Sequence, residues 1–485
     1  MKATAAAAGD DDHVLPAIAV SSVKEADSAL TEELLKLSYK DRKAIDEEIH
    51  GVYNVAPEET AELVQTSLID LAAELSKIQT KDAFVKSQTL FPNDNYVNTP
   101  DFRLRFLRCD LFDARKAAFR IVAYLDFLDE LFDDEVLRRP IRLSDLSREE
   151  IKILRLGFYQ LLPYRDRSGR PIFVNVGAMG FAYDFKMRAR IATYILFVAG
   201  NDVESQRKGV VMVAWPMGDF SKTNMPFTKE NRRLLKAMVS SSALRIAALH
   251  ACFPNTLYFR LIRSFMVLVL GYPRVRYKFH DGTDMERRYS VHGYGIPTEM
   301  IPITDSGNIK KTHLYQWIKV RKFLESEDTT NSDGEDSIIL LPNSNDVLFR
   351  SGTTTSAHPG NAFFRGLIEM KHDEFKSGSL STQAVLAEDI VKEIEQLNGS
   401  FLQWDSRGYW TKMKSRRKIL FKVEVAIRDF KGRATTSSNR QSVQSSTYSF
   451  QRQDGSVAKR RKKSQTTTDS DGSMETELIG CGFVC

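Results

Sequence analysis

A charged turn that runs directly into a strand-like segment is the feature that most constrains the fold of this chain. Residues 164–171 read Y-R-D-R-S-G-R-P, with Ser168 and Gly169 at the centre of the turn. Residues 172–176, I-F-V-N-V, follow at once and are mostly β-branched or aromatic. Turn-forming residues that bound such a run predict a buried strand that opens a sheet.

Helical and strand-like segments alternate after this strand as far as about residue 304. Helices are predicted at 186–198 and 231–252, and further strands at 209–215, 256–262 and 274–279. This alternation favours an α/β fold with a mainly parallel or mixed sheet. A chain of 485 residues is too long for one core, so we also expect two or more domains.

Helical segments are also predicted before this strand. Apolar residues recur with a period near 3.6 over 30–50, and Pro57 with the acids after it indicates the start of another helix. A further helix is expected over 115–132, with Asp113 as its N-cap. The Ala-, Asp- and Ser-rich composition of residues 1–27 predicts disorder.

Two motifs resemble the CRAL-TRIO, or Sec14-like, family of lipid-binding proteins. Residues 102–117, F-R-L-R-F-L-R-C-D-L-F-D-A-R-K-A, are similar to the family's helical segment L-R-F-L-R-A-R-K-F-D-x-x-K-A. D-R-S-G-R-P at 166–171 is similar to the family's D-x-x-G-R-P. The resemblance implies a helical N-terminal cap at 28–150 and a lipid-binding domain at 151–324, built on a mixed sheet flanked by helices. Members of the family hold a lipid and perform no bond chemistry.

In that family the sheet is the floor of the lipid cavity and a gate helix closes it. The resemblance therefore implies these ligand-binding residues: Phe173, Val174, Val211, Val213, Leu257 and Phe259 on the floor, and Phe265, Met266 and Val269 on the gate. The composition of 265–270 also fits a helix buried in the core, so both interpretations stay open. Asn255 stands where phosphatidylinositol-binding members have Glu, so we do not expect phosphatidylinositol as the preferred ligand.

The motifs of the common enzyme classes are missing from the sequence. There is no G-x-S-x-G elbow, no phosphate-binding loop and no H-E-x-x-H, and the histidines are scattered. We therefore expect no catalytic residues, no metal and no cofactor.

Four cysteines in 485 residues do not make a disulfide framework, which favours a reducing compartment. The start does not resemble a secretory signal, and the apolar run at 265–270 is far shorter than the ~20 residues of a membrane span. Cytoplasmic location with peripheral membrane contact is the expectation, and a nuclear location is also compatible with the sequence.

A second module is predicted after an acidic linker at 325–342. Residues 343–433 contain N-D-V-L at 345–348 and H-P-G-N at 358–361, and they resemble a domain of unknown function common in diatom proteins. This resemblance implies an interaction module with a protein partner. From the residues alone, His358-Pro359-Gly360-Asn361 is interpreted as a turn that N-caps a helix from Ala362, with binding as the alternative.

Residues 434–485 are rich in Ser, Thr, Gln and Arg, and we predict a disordered basic tail. Its basic cluster, Lys459, Arg460, Arg461, Lys462 and Lys463, fits contact with an anionic membrane, recognition for nuclear import, or a merely solvated charge run, whereas nucleic acid is not expected. Lipidation of Cys481 or Cys485 stays open.

The main functional expectation is non-enzymatic binding, extending to transfer, of a hydrophobic lipid. The alternative is a protein or nuclear adaptor that acts through the C-terminal module and tail.

Overall fold

The structure is a computed structural model of mixed α/β architecture with two sheets. It describes residues 11–93, 95–177, 183–217, 228–270, 274–326, 338–350, 355, 358–371 and 380–430, and their side chains except at 11–23, 257, 269–270 and 380–383. The chain divides into two compact units, Met1–Ser344 with Asp405–Trp410, and Asn345–Trp404 with Thr411–Cys485. None of the helices in the described part of the chain is both long and apolar enough to cross a bilayer.

The first unit is built on a five-stranded sheet. Its strands are β1 Tyr159–Leu161, β2 Ile172–Val176, β3 Val210–Trp215, β4 Ile246–Phe253 and β5 Tyr277–Asp281, and they lie side by side in chain order. Strand β1 is antiparallel to β2, and the remaining neighbours are parallel. The turn at Ser168 and Gly169 joins β1 to β2, which confirms the strand predicted at 172–176.

Helices surround this sheet. They are α1 Asp11–Lys36, α2 Tyr39–Ile49, α3 Ala61–Lys77, α4 Asp82–Leu90, α5 Pro100–Cys109, α6 Ala114–Leu131, α7 Arg148–Leu156, α8 Phe185–Ala199, α9 Val203–Lys208, α10 Lys229–Ser241, α11 Leu257–Leu270, α12 Asp284–Gly293 and α13 Thr312–Leu324. Parallel neighbours in chain order require crossovers of one hand, so the connecting helices α8, α10 and α11 share one face of the sheet. The opposite face packs on residues of α2 and α12, including Ile49 and Val291.

Capping side chains start several of the N-terminal helices. Asp113 Oδ1 accepts the backbone N–H of Lys116 at 3.0 Å and begins α6, as predicted. The helix predicted over 30–50 is instead two helices, because Ser38 caps α2 by accepting the N–H of Asp41 at 3.1 Å. Helix α6 lies among the N-terminal helices, in contact with α3, α4 and α5.

The first helix begins at Asp11, inside the segment whose composition predicts disorder. Helix α1 runs through residues 11–36 and packs along α11. Ala26 is buried, and Glu33 forms an ion pair with Arg274 at 2.9 Å. Tertiary contacts therefore stabilise a helix in a segment whose composition predicts disorder. Residues 1–10 lie outside the described part of the chain.

The region 229–262 corrects the predicted order of elements. The helix predicted over 231–252 ends at Ser241, and its second half is strand β4, in which every residue is buried. The alanines of I-A-A-L-H-A-C-F favour a helix, but a central parallel strand covered on both faces is also a nearly continuous apolar run, as this segment is. The strand predicted over 256–262 is the start of α11, because its aromatic and aliphatic residues continue at helical spacing into Phe265 and Met266.

Glu325, the predicted first residue of the linker, is instead part of the first unit. Glu325 closes the first unit: its carboxylate accepts the N–H of Leu143 at 2.6 Å and the Tyr194 hydroxyl at 2.8 Å, and it forms an ion pair with Arg321. Residues 327–337 lie outside the described residues. The second unit starts at Asn345, close to the boundary predicted at 343.

The second unit packs three helices around short strands. They are α14 Pro359–Met370, α15 Leu380–Gln396 and α16 at 416–430, with β7 Val347–Phe349 parallel to β8 Phe401–Trp404. The described residues also form β6 Ile338–Ile339, which belongs to the first unit, and β9 Trp410–Lys412. Its core includes Phe364, Ile390, Phe401 and Val423.

The H-P-G-N motif has a structural role in this unit. Helix α14 begins at Pro359 rather than at Ala362, with His358 in the N-cap position. The Asn361 side chain pairs with β7 in the manner of a neighbouring strand: Oδ1 accepts the N–H of Leu348 at 2.7 Å and Nδ2 donates to its carbonyl at 2.9 Å. This arrangement favours the structural interpretation of the motif over a binding role.

We expect Gly360→Ala to destabilise the second unit, because an added Cβ would lie 2.1 Å from the Asp346 carbonyl oxygen. The cost of such overpacking is about 1–3 kcal/mol. Gly366→Ala is the matched control in the same helix, since nothing lies within 4 Å of its Cβ position. That change should stabilise by about 0.5–1 kcal/mol. Hydrogen exchange of peptides from 345–404 in the full chain measures both, and equal exchange in the two variants would contradict the role of Gly360.

Residues 431–485 are outside the described part of the chain. The predictions for the tail therefore stay predictions from the sequence. They concern the basic cluster Lys459, Arg460, Arg461, Lys462 and Lys463 and the two cysteines Cys481 and Cys485.

Candidate functional site

An apolar cavity of about 220 Å³ lies between the sheet and the helices α8, α10 and α11. The sheet contributes its floor through Phe173, Met212 and Leu249, which are aligned across β2, β3 and β4. The next aligned row toward the carboxyl ends of the strands adds Asn175 and Ala214. Because side chains alternate along a strand, these residues all point to the same face.

The same alternation corrects part of the predicted floor. Phe173 lines the cavity as expected. Val174, Val211 and Val213 pack instead in the core on the opposite face of the sheet, together with Trp215. Val213 borders the cavity only along strand β3, where Met212 and Ala214 present their side chains. Neighbouring residues of a strand point to opposite faces of the sheet, so an assignment that is wrong by one residue exchanges the two faces. The resemblance did not specify which of two neighbouring residues points toward the cavity.

Helix α11 covers the cavity. Phe259, Ile262, Phe265 and Met266 line it, at the three- and four-residue spacing of one helical face. Phe265 and Met266, which were predicted as gate residues, line the cavity, whereas Phe259 belongs to this helix and not to the floor. Leu257 and Val269 are part of the helix backbone, but their side chains lie outside the described set.

The remaining walls come from residues that were not predicted. Ala189 and Ala192 of α8 face the cavity, and Leu235 and Met238 of α10 lie on another side. The two alanines leave open the volume that larger side chains would fill. The only indication of these wall residues in the sequence was the presence of alanines in α8 among mostly large apolar side chains.

Four polar side chains interrupt the apolar lining: Asn175, Arg188, Asn231 and Arg232. Arg188 is buried on α8, with its guanidinium carbon 4.9 Å from the ring centre of Phe185. Burial raises the pKa of the nearby Tyr159, and the charge of Arg188 opposes that shift. Both charged residues of the lining are arginines, and no carboxylate is part of it among the described residues. Arg188 is buried and Arg232 is exposed, so the two charges lie at different depths of the lining.

A second polar group lies on the opposite face of the sheet. His250 Nδ1 and His280 Nε2 are 3.0 Å apart, and His280 Nδ1 lies 2.7 Å from the Ser290 hydroxyl. Burial lowers the pKa of His280 to about 4 and that of His250 well below its usual range. Tyr294 packs edge-on against both imidazole rings. These neutral, buried rings form a structural contact between β4, β5 and α12.

Comparison with known families finds one match, in the second unit. Residues 346–429 match a family model described as a domain of unknown function, DUF6824. No curated protein matches the chain. The match agrees with the module predicted at 343–433, while the resemblance of residues 30–304 to the CRAL-TRIO family stays a prediction. The second unit is thus similar to a family to which no function is attached.

Proposed function

We propose that the first unit binds a hydrophobic lipid, without chemistry on it, in the cavity between the sheet and α11. The observation that carries this proposal is that the lining of the cavity is mostly apolar on the floor, the walls and the cover, with polar side chains at a few of the described positions. Protein interiors are close-packed, with few voids larger than a water molecule, so an open apolar cavity differs from ordinary core. A space with this lining is suited to an apolar ligand that carries a small polar end.

The size and charge of the cavity narrow the ligand class. At about 220 Å³ it is small beside the ~300–1,000 Å³ typical of ligand pockets, which favours one acyl or isoprenoid chain over two. Arg188 and Arg232 border the apolar space and favour an acidic head group. Asn255 holds Arg260, with its Oδ1 accepting the Arg260 guanidinium at 3.0 Å, and is not part of the lining. Nothing at that position favours an inositol head group.

Exchange of such a ligand with a membrane would need peripheral contact with the bilayer. An anionic membrane surface therefore remains the proposed partner, and transfer of the lipid is an extension of binding. The adaptor alternative depends on the C-terminal module and tail, and no contact among the described residues favours it.

Filling the cavity should abolish lipid uptake without unfolding the protein. Ala214→Phe places a ring at the centre of the floor, beside Asn175 and Ala251 in the neighbouring strands. We expect lipid that co-purifies with the full chain, quantified by mass spectrometry, to fall roughly tenfold or more. The thermal melt should be unchanged or raised, because the ring occupies empty apolar volume.

Met212→Leu is the matched control, because it conserves volume on the same strand and should keep the lipid. Lipid retained in full by Ala214→Phe would place any ligand elsewhere. A wild-type chain that carries no lipid from any membrane extract would reject the proposal.

A further inference from the structure

A second concave site lies between helices α7 and α13, away from the lipid cavity. Its volume is about 500 Å³, and it shares no lining residue with the cavity above the sheet. Leu143, Leu146 and Ile151 form its apolar part. Four cations surround them: Arg148, Lys152 and Arg155 of α7, and Lys322 of α13. We call this site the basic cleft.

The sequence of α7 places its three cations in one row. Positions 148, 152 and 155 are spaced by four and three residues, so they share one face of the helix over about 10 Å. Lys322 faces the row from the second helix. One ligand in the cleft can therefore meet cations from two elements.

These cations are not neutralised by the residues that the structure describes. No ion pair joins any of the four to a described carboxylate, although most other arginines of the first unit have one. The carboxylate in the cleft, Glu325, is engaged by Arg321, Leu143 and Tyr194. Glu150 of α7 is buried and forms an ion pair with Arg190.

Arg148 and Lys152 are like charges one helical turn apart, an arrangement that weakens a helix. An anion bound between them would remove this repulsion and stabilise the folded chain. Cations spread over about 10 Å and two helices match a multiply charged phosphate group better than a single carboxylate. We propose that the basic cleft binds a multiply charged phosphate ligand, either free or as the head group of a lipid.

The test uses the full chain at about 0.15 M salt, where weak surface attraction is screened. Inorganic pyrophosphate is one probe, titrated by calorimetry and by thermal melting. Vesicles of phosphatidylcholine with or without phosphatidic acid are the other. Lys152→Gln with Arg155→Gln removes two cations of the row, and both side chains are exposed, so the variant should fold.

Lys40→Gln with Arg42→Gln is the matched control, since it removes the same charge from an exposed part of α2. We expect saturable binding of one probe, with a raised melting temperature for pyrophosphate. Affinity should fall about tenfold in the cleft variant and stay unchanged in the control. Pyrophosphate binding assigns a free ligand, and binding only to vesicles with phosphatidic acid assigns a head group. Absence of both, or an equal loss in the control, would overturn the proposal.

Discussion

Glu48→Ala should lower the free energy of unfolding of the first unit by about 3–5 kcal/mol, the cost of breaking a buried ion pair from one side. Only 1% of Glu48 is exposed. Its carboxylate forms ion pairs with Arg245, at 2.6 Å, and with Arg276. Burial alone would raise the pKa of Glu48, but the two guanidinium groups outweigh it and leave the pKa below its usual value. Without the carboxylate, the buried Arg276 and the half-buried Arg245 lose this ion-pair partner.

The neighbouring Glu47→Ala is the control for this change. Its side chain is 40% exposed, and its partner Lys43 is 3.7 Å away, so the expected loss is about 0–0.5 kcal/mol. Urea unfolding of the full chain, followed by hydrogen exchange of peptides from β4, separates the first unit from the second. If the two variants lose the same stability, the buried ion pairs do not hold α2 to the sheet.

The second large effect is a loss of stability in acid that originates at His280. Burial lowers its pKa to about 4, while Asp281 opposes that shift and Lys278 adds to it. An unfolded histidine has a pKa near 6.5, so between these two values the unfolded chain binds more protons than the folded chain. Stability is therefore fully present above about pH 6.5 and falls as the pH drops toward 4. At about 1.4 kcal/mol per pKa unit, His280 accounts for roughly 3 kcal/mol, and His250 acts in the same direction.

Urea unfolding at a series of pH values, with hydrogen exchange of peptides from β4 and β5 as the local readout, measures this loss. In His280→Gln the first unit should lose less stability between neutral pH and pH 4 than the parent chain does. The buried His358, whose pKa burial lowers to about 4, belongs to the second unit and provides an internal comparison. An identical pH dependence in the parent and the variant would show that carboxylates alone cause the acid effect.

Much of the fold could be predicted because local signals and tertiary structure agree. The turn at Ser168 and Gly169 needs residues that adopt tight backbone conformations, and Gly169 has a φ of +84°. The apolar periodicity of 186–198 and 115–132 and the cap at Asp113 correspond to α8 and α6. In these segments, burial and intrinsic preference point to the same structure.

The prediction failed where burial overrides preference. I-A-A-L-H-A-C-F at 246–253 is rich in alanine, yet it is a central strand because parallel neighbours on both sides supply its hydrogen bonds. The aromatic start of α11 resembles a strand, yet it is helical because its apolar face covers the cavity. No window of the sequence contains the neighbours that decide these cases.

The sequence by itself determined the α/β class, the boundary near residue 343 and the apolar character of residues 265–270. Each depends on periodicity or composition within a few dozen residues. Only the tertiary structure decided which residues of β3 point to the cavity, so that Met212 and Ala214 replace Val211 and Val213 on its floor. It also brought Lys322 of α13 opposite the cations of α7 and paired Glu48 with Arg245 across nearly two hundred positions. Register and long-range pairing depend on contacts between distant segments, which a single sequence does not specify.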